Sequence, residues 1–193
     1  MAYNNQEIEL KLPLTPLQYK QIKAKIPKIA KYIKSSHHID DYYDLTGRSF
    51  LDVKYPYEWL TVRKRDSKVH LNYKHWYPEN TKYTEYCDEF ETEIKNPDSL
   101  EKMLLALGFE KIISVIKKRE VYLYKNSLEI ALDKVEELGY FIEIEAVKDF
   151  GSIKNARDQI FKFTESLGLK RRKTVPGGYA SELLKLRNSV KMS

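Results

Sequence analysis

Apolar and charged residues alternate along most of this chain with a period of two, the period of a β-strand whose two faces differ. At the N-terminus Ile8 and Leu10 alternate with Glu7, Glu9 and Lys11. Leu60 and Val62 then share a face opposite Thr61, Arg63 and Arg65, and Val69, Leu71 and Tyr73 oppose His70, Asn72 and Lys74. Tyr86, Phe90 and Ile94 oppose Glu85, Glu89, Glu91 and Glu93, with Cys87 on the glutamate side. Ile116 and Tyr122 oppose Lys117 and Arg119. Leu128, Ile130 and Leu132 oppose Glu129 and Asp133, and Tyr140, Ile142 and Ile144 oppose Glu143 and Glu145. Seven strands follow, each with one apolar and one charged face. For any single strand the plain reading is an antiparallel sheet with one face in water.

Helical signals punctuate the strands. Thr15-Pro16-Leu17-Gln18 combines an N-cap threonine, a proline at the first helical position and a glutamine at the third. That helix is expected to run towards Tyr32, kinked or broken by Pro27. A second starts at Asn96-Pro97, with Leu100, Met103, Leu104 and Leu107 as its apolar stripe and Gly108 as its stop. A third follows Gly151-Ser152, with Ile153, Ala156, Ile160, Phe163 and Leu167 at helical spacing and Gly168 at its end. A short helix from Ala180 to Leu186 closes the chain.

These helices need apolar sheet surface to cover, and the apolar strand faces provide it. The charged faces then point the other way. A sheet that curls under its helices turns them into an interior lining. Buried charge is unfavourable unless it is paired or binds ions. Carboxylates and basic groups crowded into one cavity therefore imply an occupant: hard metal ions on the first, polyphosphate on the second.

Composition narrows the classes. The 193 residues suit one domain, residues 1–193, and 42% hydrophobic content is enough for a core. The single cysteine, Cys87, excludes an internal disulfide framework and a cysteine metal cluster, which fits a reducing, cytoplasmic setting. No apolar run follows Met1 as a signal peptide would, and none reaches membrane-spanning length. The net charge of +6 favours anionic partners.

The residues also carry a family resemblance. Glu7-x-Glu9-x-Lys11 resembles the ExExK signature of the CYTH superfamily, the triphosphate tunnel metalloenzymes, which include class IV adenylate cyclases, thiamine triphosphatases and inorganic triphosphatases. Further matches fall in order: His38-Ile39-Asp40-Asp41-Tyr42-Tyr43, the strand with Arg63 and Arg65, Lys74, Glu89 to Glu93, Lys117-x-Arg119, Asp133 and Glu143-x-Glu145. The resemblance implies an α+β fold: an eight-stranded antiparallel β-barrel, the triphosphate tunnel, with helices packed outside. The run from Ile130 to Glu145 and the ending Gly178-Tyr179-Ala180-Ser181-Glu182-Leu183-Leu184 are most similar to the class IV cyclase branch. Ala131 stands where a histidine is expected in that branch.

Roles follow from the resemblance together with parity. Glu7, Glu9 and Glu145 are expected as ligands of Mg²⁺ or Mn²⁺, with Glu143, Asp133 and Glu91 beside them. Lys11, Arg63, Arg65, Lys74, Lys117 and Arg119 are expected to clamp the triphosphate, Arg65 from a strand end. Lys11, Arg119 and Asp133 are the candidates for action at the reacting phosphate. Lys64 and Lys118 have the opposite parity and belong outside. Glu89 and Glu93 read as pairing partners of the basic groups. His37 and His38 read as a structural pair at a strand edge, Trp59 and Trp76 as packing residues, and Cys87 is given no chemistry. Lys170-Arg171-Arg172-Lys173 reads as a basic loop near the tunnel mouth. The implied function is conversion of ATP to cyclic AMP and pyrophosphate. Hydrolysis of thiamine triphosphate, tripolyphosphate or a nucleotide is the alternative, and a non-catalytic polyphosphate or RNA binder the third. The expected partner is a small triphosphate rather than a membrane or a nucleic acid, with a homodimer left open.

Overall fold

The structure, a computed structural model, describes residues 6–170 and 178–191, with side chains to residue 188. Nine strands form one antiparallel sheet: β1 (Gln6–Glu7), β2 (Glu9–Leu14), β3 (Lys31–Leu45), β4 (Glu58–Arg65), β5 (Lys68–Tyr77), β6 (Tyr86–Glu93), β7 (Phe109–Tyr124), β8 (Leu128–Val135) and β9 (Gly139–Ala146). Their order is β1-β6-β5-β4-β3-β7-β8-β9-β2. The two outermost members are successive pieces of one extended segment, broken only at Ile8. Glu7 pairs with Cys87 of β6 and Glu9 with Glu145 of β9. The N-terminal segment thus closes the sheet into a barrel, and counted once it gives the eight strands expected.

The alternation sorts the side chains as the sequence pattern requires. Outside, Leu10, Leu12, Ile130, Leu132, Ile142 and Ile144 meet helices α1 (Pro16–Lys25) and α3 (Ile153–Ser166), which contribute Ile22, Ile160 and Phe163. A second outer cluster joins Leu60 and Val62 to Leu104 of α2 (Pro97–Ala106). The Thr15 capping box forms, with Gln18 N donating to Thr15 Oγ1 and Thr15 N to Gln18 Oε1. Gly108 leaves α2 at φ +85°, a left-handed geometry that suits glycine.

Five expectations need correction. The first helix does not approach Tyr32. It ends at Lys25, Pro27 sits in a 3₁₀ turn over Ile26–Lys28, and β3 starts at Lys31. Proline cannot supply the amide that would continue the helix, and the chain from Lys31 pairs along β7 instead. That strand, β3, is itself absent from the seven read by alternation. His38 accordingly lies at no edge: β3 is flanked by β4 and β7, with Arg65 and Lys117 as its register partners. On α2 the stripe is narrower than expected. Leu104 is buried, while Met103 and Leu107 are 60% and 69% exposed. The last helix, α4 (Gly178–Lys191), is longer than the Ala180–Leu186 expected.

One end of the barrel is filled. Trp59, Trp76, Ile113, Val115, Val135 and Phe141 point inward there and pack with Tyr179, Ala180 and Leu183 of α4. The interior is therefore apolar at the end stoppered by α4 and charged beyond it. Leu132→Ala, at a fully buried position of the outer core, should destabilise the protein by about 2–5 kcal/mol, measured by urea unfolding; a change of a few tenths would contradict the packing described.

Candidate functional site

A cavity of about 320 Å³ runs through the charged part of the barrel. Glu7, Glu9, Lys11, Arg63, Arg65, Lys74, Glu89, Glu91, Lys117, Arg119, Glu143 and Glu145 all line it. Strand parity brings them together: each occupies the inward position of its strand, opposite the apolar residues of the outer cores. Lys118 and Lys64 project outward, Lys64 towards Asp41 at 3.2 Å. Glu93 pairs with Lys68 at the exposed rim.

Each of the six cations expected to form the clamp is held by carboxylates. Arg65 lays its two Nη atoms across Glu91, both at 3.1 Å. Arg63 Nη1 donates to Glu89 at 3.0 Å and Glu91 at 3.1 Å. Lys74 contacts Glu7 and lies 3.6 Å from Glu89. Lys11 lies 2.9 Å from Glu143 and 3.2 Å from Glu9. Lys117 donates to Asp40 at 3.0 Å. Arg119 is gripped from two sides, by Asp133 at 2.6 and 2.8 Å and by Glu143 at 2.9 and 3.1 Å. Forked arginine–carboxylate pairs of this kind fix orientation as well as charge.

Asp133 stands apart from the other candidates. It is fully buried, it does not line the cavity, and its oxygens accept from Arg119 and from the Tyr179 hydroxyl. Its position behind Arg119 makes it an anchor for that guanidinium.

Sequence reasoning passed over three further residues. Asp40, 1% exposed, is the partner of Lys117; against the cost of burial, Lys117 and Arg63 hold its carboxyl well below the usual range. Asn72, equally buried, donates to Glu89 and Glu91. Tyr179 reaches in from α4 to Asp133. The signals available for Asp40 were its place in the family-matched run from His38 to Tyr43 and its parity with His38. Burial, with Lys117 and Arg119 nearby, pushes the His38 imidazole down to about 3, and the ring bonds Ser36 Oγ at 2.7 Å. Cys87, fully buried, donates its thiol to Glu7 Oε2 at 3.2 Å. Trp59 and Trp76 pack at the closed end of the cavity. In the basic run that starts at Lys170, Arg171 to Lys173 lie outside the described residues.

The donor set suits an oxygen-seeking cation. Glu9 and Glu145 face each other across β2 and β9, and like charges placed so are destabilising without a counterion. Burial, reinforced by Glu7, Glu9 and Glu143, pushes the Glu145 carboxyl up to about 9. Burial with Glu9 and Glu89 raises Glu7 to about 7 despite Lys74. An all-carboxylate group of this kind fits Mg²⁺ or Mn²⁺. Among the described residues no three such side chains are arranged as a finished metal cage, because Glu7 and Glu9 are turned towards Lys74 and Lys11. Among the basic groups, Arg63 Nε and Arg65 Nε are buried donors without hydrogen-bond partners.

Comparison with known proteins places these features in context. The model of the CYTH domain family matches residues 5–179. A Methanocaldococcus jannaschii protein named "Putative adenylate cyclase MJ0240" is 24% identical over 175 residues, which cover 90% of this chain and 95% of that protein. Among solved structures, the PH1819 protein of Pyrococcus horikoshii superposes with a TM-score of 0.76 at 30% identity, covering 93% of this chain and 98% of that one. The Hippeastrum protein HpAC1, described as a putative adenylyl cyclase that reveals a dominant triphosphatase activity, shares the fold at a TM-score of 0.64 and 17% identity, covering 91% and 93%. No helix among the described residues is long and apolar enough to cross a membrane.

The raised Glu145 carboxyl makes a signed prediction. The folded protein keeps a proton on Glu145 that the unfolded chain releases above about 4.5. Metal-free stability therefore falls as pH rises from there, and the loss is complete above about 9. Glu145→Gln lacks this penalty. In chelator its melting temperature should exceed the wild-type value at pH 8, by about 2–4 °C for each kcal/mol recovered in a chain of this size, and the gap should close near pH 5. A gap that is constant with pH would show that Glu145 does not feel its neighbours.

Proposed function

This chain belongs to the CYTH domain family, and on that premise we propose that it is a metal-dependent enzyme converting ATP to cyclic AMP and pyrophosphate in its tunnel. The observation that carries the reading is the cavity lining itself, where lysines and arginines interleaved with glutamates face one space. Lys11, Arg63, Arg65, Lys74, Lys117 and Arg119 take the triphosphate. Glu7, Glu9 and Glu145 hold Mg²⁺ or Mn²⁺, which when bound lowers the pKa of the attacking hydroxyl and screens phosphate charge.

The ion pairs already present explain how both charges can be accommodated. Phosphate oxygens that replace carboxylates as partners of Lys11 and Lys74 release Glu9 and Glu7 for the cation. Asp133, Glu143 and Glu91 keep the arginines oriented meanwhile. In the reaction the ribose 3′ hydroxyl gives up its proton to solvent as its oxygen bonds to the α-phosphorus, and the bond from that phosphorus to the bridging oxygen of the departing pyrophosphate breaks. The basic cluster neutralises the charge that develops on the departing pyrophosphate. No side-chain nucleophile takes part.

Hydrolysis of a triphosphate, such as thiamine triphosphate, tripolyphosphate or a nucleotide, is the second reading. The same groups serve, with water attacking the terminal phosphorus. Ala131 favours it, being buried at a position where the cyclase branch is expected to carry histidine, and so does the triphosphatase activity named for the Hippeastrum protein.

The deciding experiment incubates the protein with ATP, tripolyphosphate or thiamine triphosphate, each with Mg²⁺ and with Mn²⁺, and identifies products by mass. Cyclic AMP with pyrophosphate is the expected result. Phosphate without cyclic AMP selects hydrolysis, and unchanged substrates would leave only a polyanion binder. Parity supplies a second check by titration calorimetry with tripolyphosphate. Lys117→Ala should weaken binding about tenfold or more, the effect of losing a charged hydrogen bond. Lys118→Ala, on the outer face, should bind as the wild type does and shift stability by no more than about 0.5 kcal/mol. Greater damage from Lys118→Ala would mean that the triphosphate does not occupy the tunnel.

A further inference from the structure

Helix α4 does more than fill the end of the barrel. Its first two residues touch the proposed phosphate clamp. The Tyr179 ring, 3% exposed, has Lys11 Nζ 4.6 Å and Lys117 Nζ 5.2 Å from its centroid. Its hydroxyl donates to Asp133 Oδ2 at 2.7 Å, the same oxygen that accepts from Arg119 Nη2 at 2.6 Å. Phe141 packs edge-on at 4.8 Å and fixes the plane of the ring. Before it, Gly178 is at φ +55°, and a Cβ there would lie 3.7 Å from Lys11 Nζ.

From this arrangement we infer that Tyr179 is a positioning residue of the phosphate site, one that sets Lys11 and Lys117 through its ring and Arg119 through Asp133. The inference rests on the reading of the cavity as a triphosphate site. Its physical content lies in the difference between a ring and a carboxylate as a holder of cations. A carboxylate that positions a lysine competes with phosphate for it, and must give way when phosphate binds. An aromatic face attracts ammonium groups through its quadrupole, most strongly where water is excluded, and carries no net charge. Tyr179 can hold Lys11 and Lys117 near one another both before and after the triphosphate displaces Glu143 and Glu9 from Lys11. Its hydroxyl meanwhile occupies an acceptor site on a fully buried carboxylate. That contact stops Asp133 from turning and keeps the fork of Arg119 aimed at the cavity.

The test compares Tyr179→Phe, Tyr179→Leu and Leu183→Ala. Leu183 lies on the same helix and in the same apolar cluster, 1% exposed, so its truncation loosens the stopper without altering the ring. Binding of tripolyphosphate with Mg²⁺ is measured by calorimetry at a temperature where every variant is folded, beside each melting temperature. Tyr179→Phe keeps the ring and loses one charged hydrogen bond, and should weaken binding about three- to tenfold. Tyr179→Leu should weaken it about a hundredfold, and Leu183→Ala should lower the melting temperature while leaving affinity near the wild-type value. Wild-type affinity in both Tyr179 variants, with Lys117→Ala still defective, would overturn the inference and leave the site reading intact. So would a loss in Leu183→Ala equal to that in Tyr179→Leu, since stopper stability alone would then explain it. A wild-type protein that binds no tripolyphosphate would overturn the site reading and this inference together.

Discussion

The pairing of opposite charges inside a closed barrel is the interaction on which this structure depends. A sheet that turns its apolar faces outward to helices must turn its polar faces inward, and here those faces carry lysine, arginine, aspartate and glutamate. Isolated charges there would be prohibitive. The chain meets the constraint by interleaving the two signs, so that each of the six cations described above finds a carboxylate on another strand, as Arg65 of β4 finds Glu91 of β6 and Lys117 of β7 finds Asp40 of β3. Around Glu145 the interleaving is incomplete: burial, reinforced by the crowded carboxylates of Glu7, Glu9 and Glu143, raises its pKa.

The fold was readable from the sequence to the extent that alternation was clean. In β8, Leu128, Ile130 and Leu132 against Glu129 and Asp133 leave no ambiguity about either face. Strand β3 offers no such contrast. Asp40-Asp41 and Tyr42-Tyr43 put the same residue type on both faces. Asp40 turns inward to Lys117, and Asp41 outward to Lys64, Lys111 and Ser114. Both aspartates are buried, but for partners that lie far off in the chain. Periodicity cannot see such a strand, whereas the pattern of the family could.

The candidate site divides the same way. Parity was enough to gather its basic and acidic residues, because a residue's face on a strand is a local property. Their partnerships were not readable, because they depend on register between strands and on which carboxylate reaches which cation. Asp133 has the parity of a cavity residue, yet it is covered by Arg119 and by a tyrosine from a helix 46 residues further on. The role of α4 was hidden for a similar reason: its amphipathic pattern announces a buried face without saying that the face looks into the barrel.

The break at Ile8 has a consequence for how the molecule is assembled. Of the barrel's strands, the earliest in the sequence is the one that joins both edges of the sheet, through Cys87 on one side and Glu145 on the other. Its second partner lies more than a hundred residues downstream, so the ring cannot shut until β9 has been made. Pairings this distant in sequence form slowly. Until they do, the ionic interior is an open, hydrated trough. Dehydration of the charges is thereby deferred to the closing step, when every strand that supplies a counter-charge is already in place.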